Sequence, residues 1–92
     1  MARVDCSGVT FGSPLDEKHM FEWGSEIRGF VKWEHDTLVL RSTRISDEAL
    51  RDLIALLWRY KVPMKQLAQF ENPKNSAWFN SPQKFWYKKV FA

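Results

Sequence analysis

The sequence predicts an α+β fold in which a small antiparallel sheet of three or four strands comes first and helices follow. Two patterns point to it. Between residues 27 and 43, β-branched and aromatic residues dominate and apolar side chains alternate with polar ones, which is typical of strands. From Ser46 onward, apolar residues recur at helical spacing. With 92 residues, the chain has room for one domain, residues 1–92, around one core.

The clearest strand signal is a hairpin. Residues 27–33 and 37–43 are joined by the polar link Glu34-His35-Asp36, a length that suits a hairpin turn. In the second strand, Leu38 and Leu40 are expected to face the core.

The segment before the hairpin is predicted to hold two further short strands, over residues 9–11 and 19–24. Glycine and proline interrupt residues 1–14, which are therefore predicted to form an irregular arm apart from the first of these strands.

One long helix is predicted to begin at Ser46, a good N-cap residue, and to end near Lys61, because Pro63 disfavours helical geometry at the residue before it. Its apolar residues are spaced i, i+3, i+4, i+7: Leu50, Leu53, Ile54 and Leu57. Short helices are predicted over residues 63–70, around 76–79 and over 83–90. Residues 46–70 also have the size of a helix-turn-helix, although Pro63 stands where that turn usually carries glycine.

Charge and aromatic residues are distributed unevenly along the chain. Residues 58–92 contain nine of the fourteen aromatic residues and carry a net charge of +6, whereas residues 1–57 carry −3. Such an asymmetry indicates a charged partner without specifying it.

Several classes of function are not expected. Cys6, His19 and His35 lack the spacing of a metal site, and no glycine-rich phosphate loop or catalytic constellation is present. We therefore expect no catalytic residue, metal, cofactor or small-molecule substrate. The longest apolar run has six residues, whereas a membrane span needs about 20. The single cysteine and the absence of a signal-peptide pattern at the N-terminus predict a cytoplasmic protein that makes no membrane contact.

Two surfaces are candidates for binding. The first is the sheet, where aromatic residues with an acidic rim are predicted to meet a partner, namely Phe21, Trp23, Trp33, Glu22 and Glu34. The second is the basic C-terminal region, whose lysines and tryptophans suit a protein partner or nucleic acid: Lys74, Lys84, Lys88, Lys89, Trp78 and Trp86. In both cases the competing interpretation is that the aromatic residues form the core and the charges are solvated.

These observations predict a non-enzymatic protein-interaction module that binds a charged partner by surface complementarity. A small bacterial inhibitor or immunity-type protein is one concrete version. The alternative is a nucleic-acid-binding protein that uses the C-terminal region. Its binding would be nonspecific, because that region has little arginine for base-specific contacts. Self-association through an open sheet edge or through the tryptophan-rich face is a third hypothesis.

Overall fold

Three strands form one antiparallel sheet. The computed structural model describes residues 1–92. The strands are β1 (Ala2–Asp5), β2 (Phe30–Glu34) and β3 (Thr37–Leu40). Their order in the sheet is β1-β3-β2. The helices are α1 (Pro14–Glu26), α2 (Asp47–Tyr60), α3 (Ser76–Phe79) and α4 (Tyr87–Val90), with a 3-10 helix over Lys65–Phe70. The predicted α+β class is confirmed.

The hairpin prediction is confirmed, with shorter strands. β2 and β3 pair around a turn of His35 and Asp36. Leu38 and Leu40 of the central strand are fully buried, as expected from their alternation. Val39 points to the other face, where it pairs in register with Arg3 on one side and Lys32 on the other.

The prediction of a strand over residues 19–24 is wrong, because these residues lie within helix α1. Ser13 caps that helix by accepting a hydrogen bond from Asp16 N–H at 3.3 Å, and Pro14 occupies the first helical position. Met20, Gly24 and Ile27 are buried at helical spacing, so the apolar residues follow a period near 3.6 and not the period of 2 that a strand requires.

The strand predicted over residues 9–11 is also wrong, and residues 1–14 are not wholly an irregular arm. The additional strand is β1, in which Ala2 and Val4 are buried and Arg3 is exposed. This strand has only four residues, and its pairing with β3 fixes it in the sheet. Residues 9–11 belong to no strand, although Val9 and Phe11 pack against the core.

Helix α2 has the predicted extent. The Ser46 hydroxyl accepts from Ala49 N–H at 3.1 Å, and Asp47 and Glu48 stand in the first turn, where the helix dipole favours negative charge. Seven of its residues are buried: Ala49, Leu50, Leu53, Ile54, Leu56, Leu57 and Tyr60.

The segment predicted as a helix over 63–70 is a short 3-10 helix whose polar side chains cover the edge of β1. Gln66 Nε2 donates to Asp5 O at 2.8 Å, and Asp5 N–H donates to Gln66 Oε1 at 2.7 Å. Gln69 Nε2 donates to Arg3 O at 3.0 Å. These glutamines are occupied by the sheet, so they cannot act as base contacts of a recognition helix.

The last two helices are single turns. Helix α3 lies where it was predicted, but helix α4 begins at Tyr87 and not at residue 83. Ser81, which precedes that helix, donates its hydroxyl hydrogen to Gln83 Oε1 at 2.6 Å and does not cap it. Buried side chains anchor these turns, namely Phe79 in α3 and Trp86 and Val90 at α4. No helix combines the length and apolar character that crossing a bilayer requires.

Candidate functional site

The end of helix α2 reverses the chain and opens a groove. Lys61 adopts the left-handed conformation at φ 57°, its N–H donates to Trp58 O, and Val62 N–H donates to Leu57 O at 3.0 Å. This pair of bonds is a Schellman motif. Pro63 follows and prevents the helix from continuing.

We call the resulting cavity the lysine groove. It has a volume of about 620 Å³ and lies between the end of α2, the loop that follows, and α4. Nine residues line it: Leu57, Trp58, Lys61, Val62, Pro63, Met64, Lys65, Lys88 and Lys89. Its apolar residues come from α2 and the loop, and its lysines come from both sides.

Two large aromatic side chains lie exposed at this end of the molecule. Trp58 is 44% exposed and Phe85 is 57% exposed, and their ring centroids are 4.6 Å apart in an edge-to-face arrangement. Lys89 Nζ lies 5.6 Å from the centroid of the Trp58 ring. The pair is therefore an apolar contact surface beside the lysines, and it is not enclosed by the core.

The groove is uniformly positive. Its lining contains four lysines and no carboxylate, and none of these lysines forms an ion pair. Glu71 is the only acidic residue of the C-terminal region, and its carboxylate accepts hydrogen bonds from Ser76 and Asn80, both at 2.9 Å. The four positive charges are consequently not neutralised within the molecule.

The predicted C-terminal site residues are only partly brought together. Lys88 and Lys89 line the groove, whereas Lys84 lies over the ring of Trp86 at 5.9 Å. Trp86 is buried, and its Nε1–H donates to Phe79 O at 2.8 Å, so it belongs to the core.

The other two predicted C-terminal residues lie away from the groove. Trp78 is half-buried with the Arg51 guanidinium 4.4 Å from its ring centroid, so it is not an open stacking platform. Lys74 lines a separate cavity together with Arg44.

The predicted sheet surface is not a sheet surface, because Phe21, Glu22 and Trp23 lie on helix α1. The Phe21 and Trp33 rings pack edge to face at 4.6 Å, and Trp33 Nε1–H donates to Phe21 O at 3.0 Å. These aromatic residues are half-buried and join α1 to β2, which corrects the prediction that they form an open patch.

The acidic residues of that predicted surface are divided between two places. Glu34 forms ion pairs with Lys32 at 3.1 Å and Arg3 at 3.6 Å, and the Lys32 hydrogen bond and charge lower the pKa of its carboxyl. Glu22 lines a shallow acidic cleft of about 370 Å³ beside Trp23, together with Glu26 and Asp52.

The remaining chemically active groups do not form a site. Cys6 is buried, and burial raises the pKa of its thiol to about 12, with a smaller contribution from Asp5 and Asp36. Nowhere do three His, Cys, Asp or Glu side chains come close enough together to hold a metal ion.

The predicted C-terminal set omitted Trp58 and Phe85, the aromatic residues that the fold leaves exposed. A signal for Trp58 was present, since it falls at the margin of the apolar arc of α2, four residues after Ile54. For Phe85 there was none, because only the packing of Trp86 into the core decides which of the two adjacent aromatic residues stays outside.

Comparison with protein-family models, curated proteins and solved structures finds no match to this chain.

Proposed function

We propose that this chain is a non-enzymatic protein-interaction module whose lysine groove binds an acidic, partly apolar segment of a partner protein. The observation that carries this proposal is the exposed Trp58–Phe85 pair beside four lysines that have no acidic neighbour in the groove. Exposed aromatic residues are the usual energetic anchors of protein interfaces.

Charge and shape together define the partner's chemistry. Leu57, Val62, Pro63 and Met64 give the groove an apolar lining, and its lysines supply the rim. A segment that alternates leucine or phenylalanine with aspartate or glutamate would satisfy both. Its carboxylates would steer the encounter, and its apolar side chains would supply most of the affinity.

An acidic protein segment fits this groove better than a nucleic-acid strand does. Single-stranded nucleic acids bind on successive open aromatic faces. Here Lys89 already lies over the Trp58 ring, Trp86 is buried, and Arg51 covers Trp78. A base that stacks on the face of Trp58 next to Lys89 would have to displace that lysine.

Selection from a random peptide library displayed on phage, with the purified protein as bait, tests the proposal. We expect enrichment of peptides that combine acidic and large apolar residues. Fluorescence polarisation of a labelled enriched peptide should then show that Trp58→Ala weakens binding by about 2 kcal/mol, as loss of an anchor residue does. The double variant Lys61→Gln/Lys88→Gln should weaken it by about 1 kcal/mol.

The matched control is the double variant Lys74→Gln/Lys84→Gln, which removes the same charge from exposed positions outside the groove. It should leave the peptide affinity unchanged. Equal losses in both double variants would show that net charge alone drives binding and would contradict a site in the groove. Failure to enrich acidic peptides, together with salt-sensitive binding of a labelled oligothymidylate, would contradict the proposal and identify nucleic acid as the ligand of the groove.

A further inference from the structure

Three of the six arginines have no side-chain partner, and all three line one cleft. Arg3 pairs with Glu34, Arg51 lies over Trp78, and Arg59 lies over Tyr60. The other three are exposed and form no ion pair, no side-chain hydrogen bond and no contact with an aromatic ring: Arg28, Arg41 and Arg44.

This arginine cleft is a separate cavity from the lysine groove. It has a volume of about 360 Å³ and is lined by Arg28, Gly29, Phe30, Arg41, Ser42, Arg44, Ile45 and Ser46. None of these residues is acidic. The three arginines come from three places in the chain, namely the end of α1, the end of β3 and the loop before α2.

Hydrogen bonds from backbone N–H groups hold two of these three positions in place. Arg41 N–H donates to Gly29 O at 2.9 Å, which ties the end of β3 to the turn before β2. Gly29 has φ +98°, a conformation that other residues rarely adopt. Arg44 N–H donates to the Ser42 hydroxyl at 3.1 Å. The backbone is therefore fixed around the cavity that the three arginines line.

We propose that the arginine cleft binds a phosphate group, free or as a phosphomonoester. Guanidinium groups present planar pairs of N–H donors that match the oxygens of phosphate, and they carry their charge at every accessible pH. The Ser46 hydroxyl accepts from Ala49 N–H, which leaves its own hydrogen free to donate to an anion. The volume lies at the lower end of the range of small-molecule sites, so it suits a small anion.

No acidic residue forms an ion pair with the arginines of the cleft. Asp47 and Glu48 stand in the first turn of α2, yet neither forms an ion pair with these arginines. Arg44 also lines a second cavity, in which Lys74 adds a further positive charge. Three like charges that face one cavity repel each other, and a bound phosphate would remove that repulsion.

Titration of the ¹⁵N-labelled protein with inorganic phosphate, followed by amide chemical shifts, tests the proposal. Sodium chloride at matched ionic strength is the reference. We expect saturable shifts at residues 28–30 and 41–46 that chloride does not produce. The triple variant Arg28→Gln/Arg41→Gln/Arg44→Gln should bind phosphate about tenfold more weakly or worse, because each charge-assisted hydrogen bond contributes substantially.

The control is Lys61→Gln/Lys65→Gln/Lys88→Gln, which removes the same charge from the lysine groove and should leave phosphate binding intact. The inference is independent of the proposed function. Acidic peptides are expected to change the amide chemical shifts of the lysine groove, whereas phosphate is expected to change those of the arginine cleft. Absent shifts, shifts that chloride reproduces, or equal binding by the arginine variant would overturn it.

A parallel titration with adenosine 5′-monophosphate distinguishes the two sources of the phosphate group. Tighter binding than inorganic phosphate, with a shift of the half-buried Phe30 ring, would identify a nucleotide as the ligand. Equal affinity would identify the phosphate group alone. Both results support the phosphate site, whereas binding that moves only residues outside the cleft contradicts it.

Discussion

Gly24 has no side chain at a point where helix α1 packs closely against the Trp33 ring. In the middle of an exposed helix, alanine would be about 1 kcal/mol more favourable than glycine. At position 24, however, a Cβ would overlap Cζ2 of Trp33 and lie 3.1 Å from its Cε2. Trp33 cannot move aside without losing its hydrogen bond to Phe21 O.

Gly24→Ala is therefore expected to destabilise the protein by about 2 kcal/mol, as overpacking of a core does, although helix propensity alone predicts the opposite sign. Chemical denaturation followed by far-ultraviolet circular dichroism measures the change. Gly12→Ala is the matched control, because its Cβ would meet only Asp16 Oδ2, at an ordinary 3.6 Å. A stability gain at position 24 would show that α1 and β2 are not packed as described.

The thiol of Cys6 is buried in the core. The thiol is 2% exposed and its pKa is raised to about 12, so at mildly alkaline pH the folded protein holds a protonated, shielded sulfur. We expect dithionitrobenzoate to react slowly with the native protein and rapidly after denaturation. Fast reaction of the native protein would contradict the burial of Cys6.

The raised pKa of Cys6 also makes the stability of the protein depend on pH. Between the ordinary thiol pKa of 9.0 and the folded value of about 12, the unfolded chain loses its proton while the folded protein keeps it. The free energy of unfolding should therefore fall as pH rises through that window. In Cys6→Ala this part of the alkaline destabilisation should be missing from pH-dependent denaturation curves.

Among the elements, the edge of β1 shows how one strand of the sheet is protected. An uncovered strand edge offers unpaired N–H and C=O groups to other chains. The Gln66 side chain both donates to Asp5 O and accepts from Asp5 N–H, as a neighbouring strand would. Gln69 covers Arg3 O in the same way.

Gln66→Ala is expected to destabilise the protein by about 1 kcal/mol through loss of these hydrogen bonds. Hydrogen exchange at the Asp5 amide should accelerate more than exchange at β3. Gln83→Ala is the control, since exposed Gln83 has one side-chain hydrogen bond, from Ser81, and should change stability little. Unchanged exchange at Asp5 in Gln66→Ala would show that the glutamine does not cover the edge.

The elements differ in how far the sequence predicts them. Helix α2 has a cap, an acidic first turn and a periodic apolar face that agree with each other, and its bounds were predicted closely. Residues 19–24 of helix α1 are predicted as a strand because the aromatic residues Phe21 and Trp23 are typical of strands, although Ser13 and Pro14 signal a helix start. The strand β1 is only four residues long and depends on pairing with distant residues, so no local pattern identifies it.

For the whole molecule, charge counted along the chain was informative but incomplete. It located the excess of lysines that forms the groove at the end of α2. It concealed the arginine cleft, because Arg28, Arg41 and Arg44 belong to the segment whose net charge is −3. The two basic surfaces adjoin opposite ends of the 14-residue α2, a length of about 21 Å. Convergence of distant residues on one cavity is a property of the fold, and linear charge counts do not contain it.

The position of β1 also affects how the chain folds during synthesis. Ala2–Asp5 is translated well before its partner strand Thr37–Leu40 and its covering residue Gln66. For that interval the first strand is an unpaired segment able to associate with another nascent chain. Its length of four residues and the charges of Arg3 and Asp5 limit such association until the rest of the protein emerges.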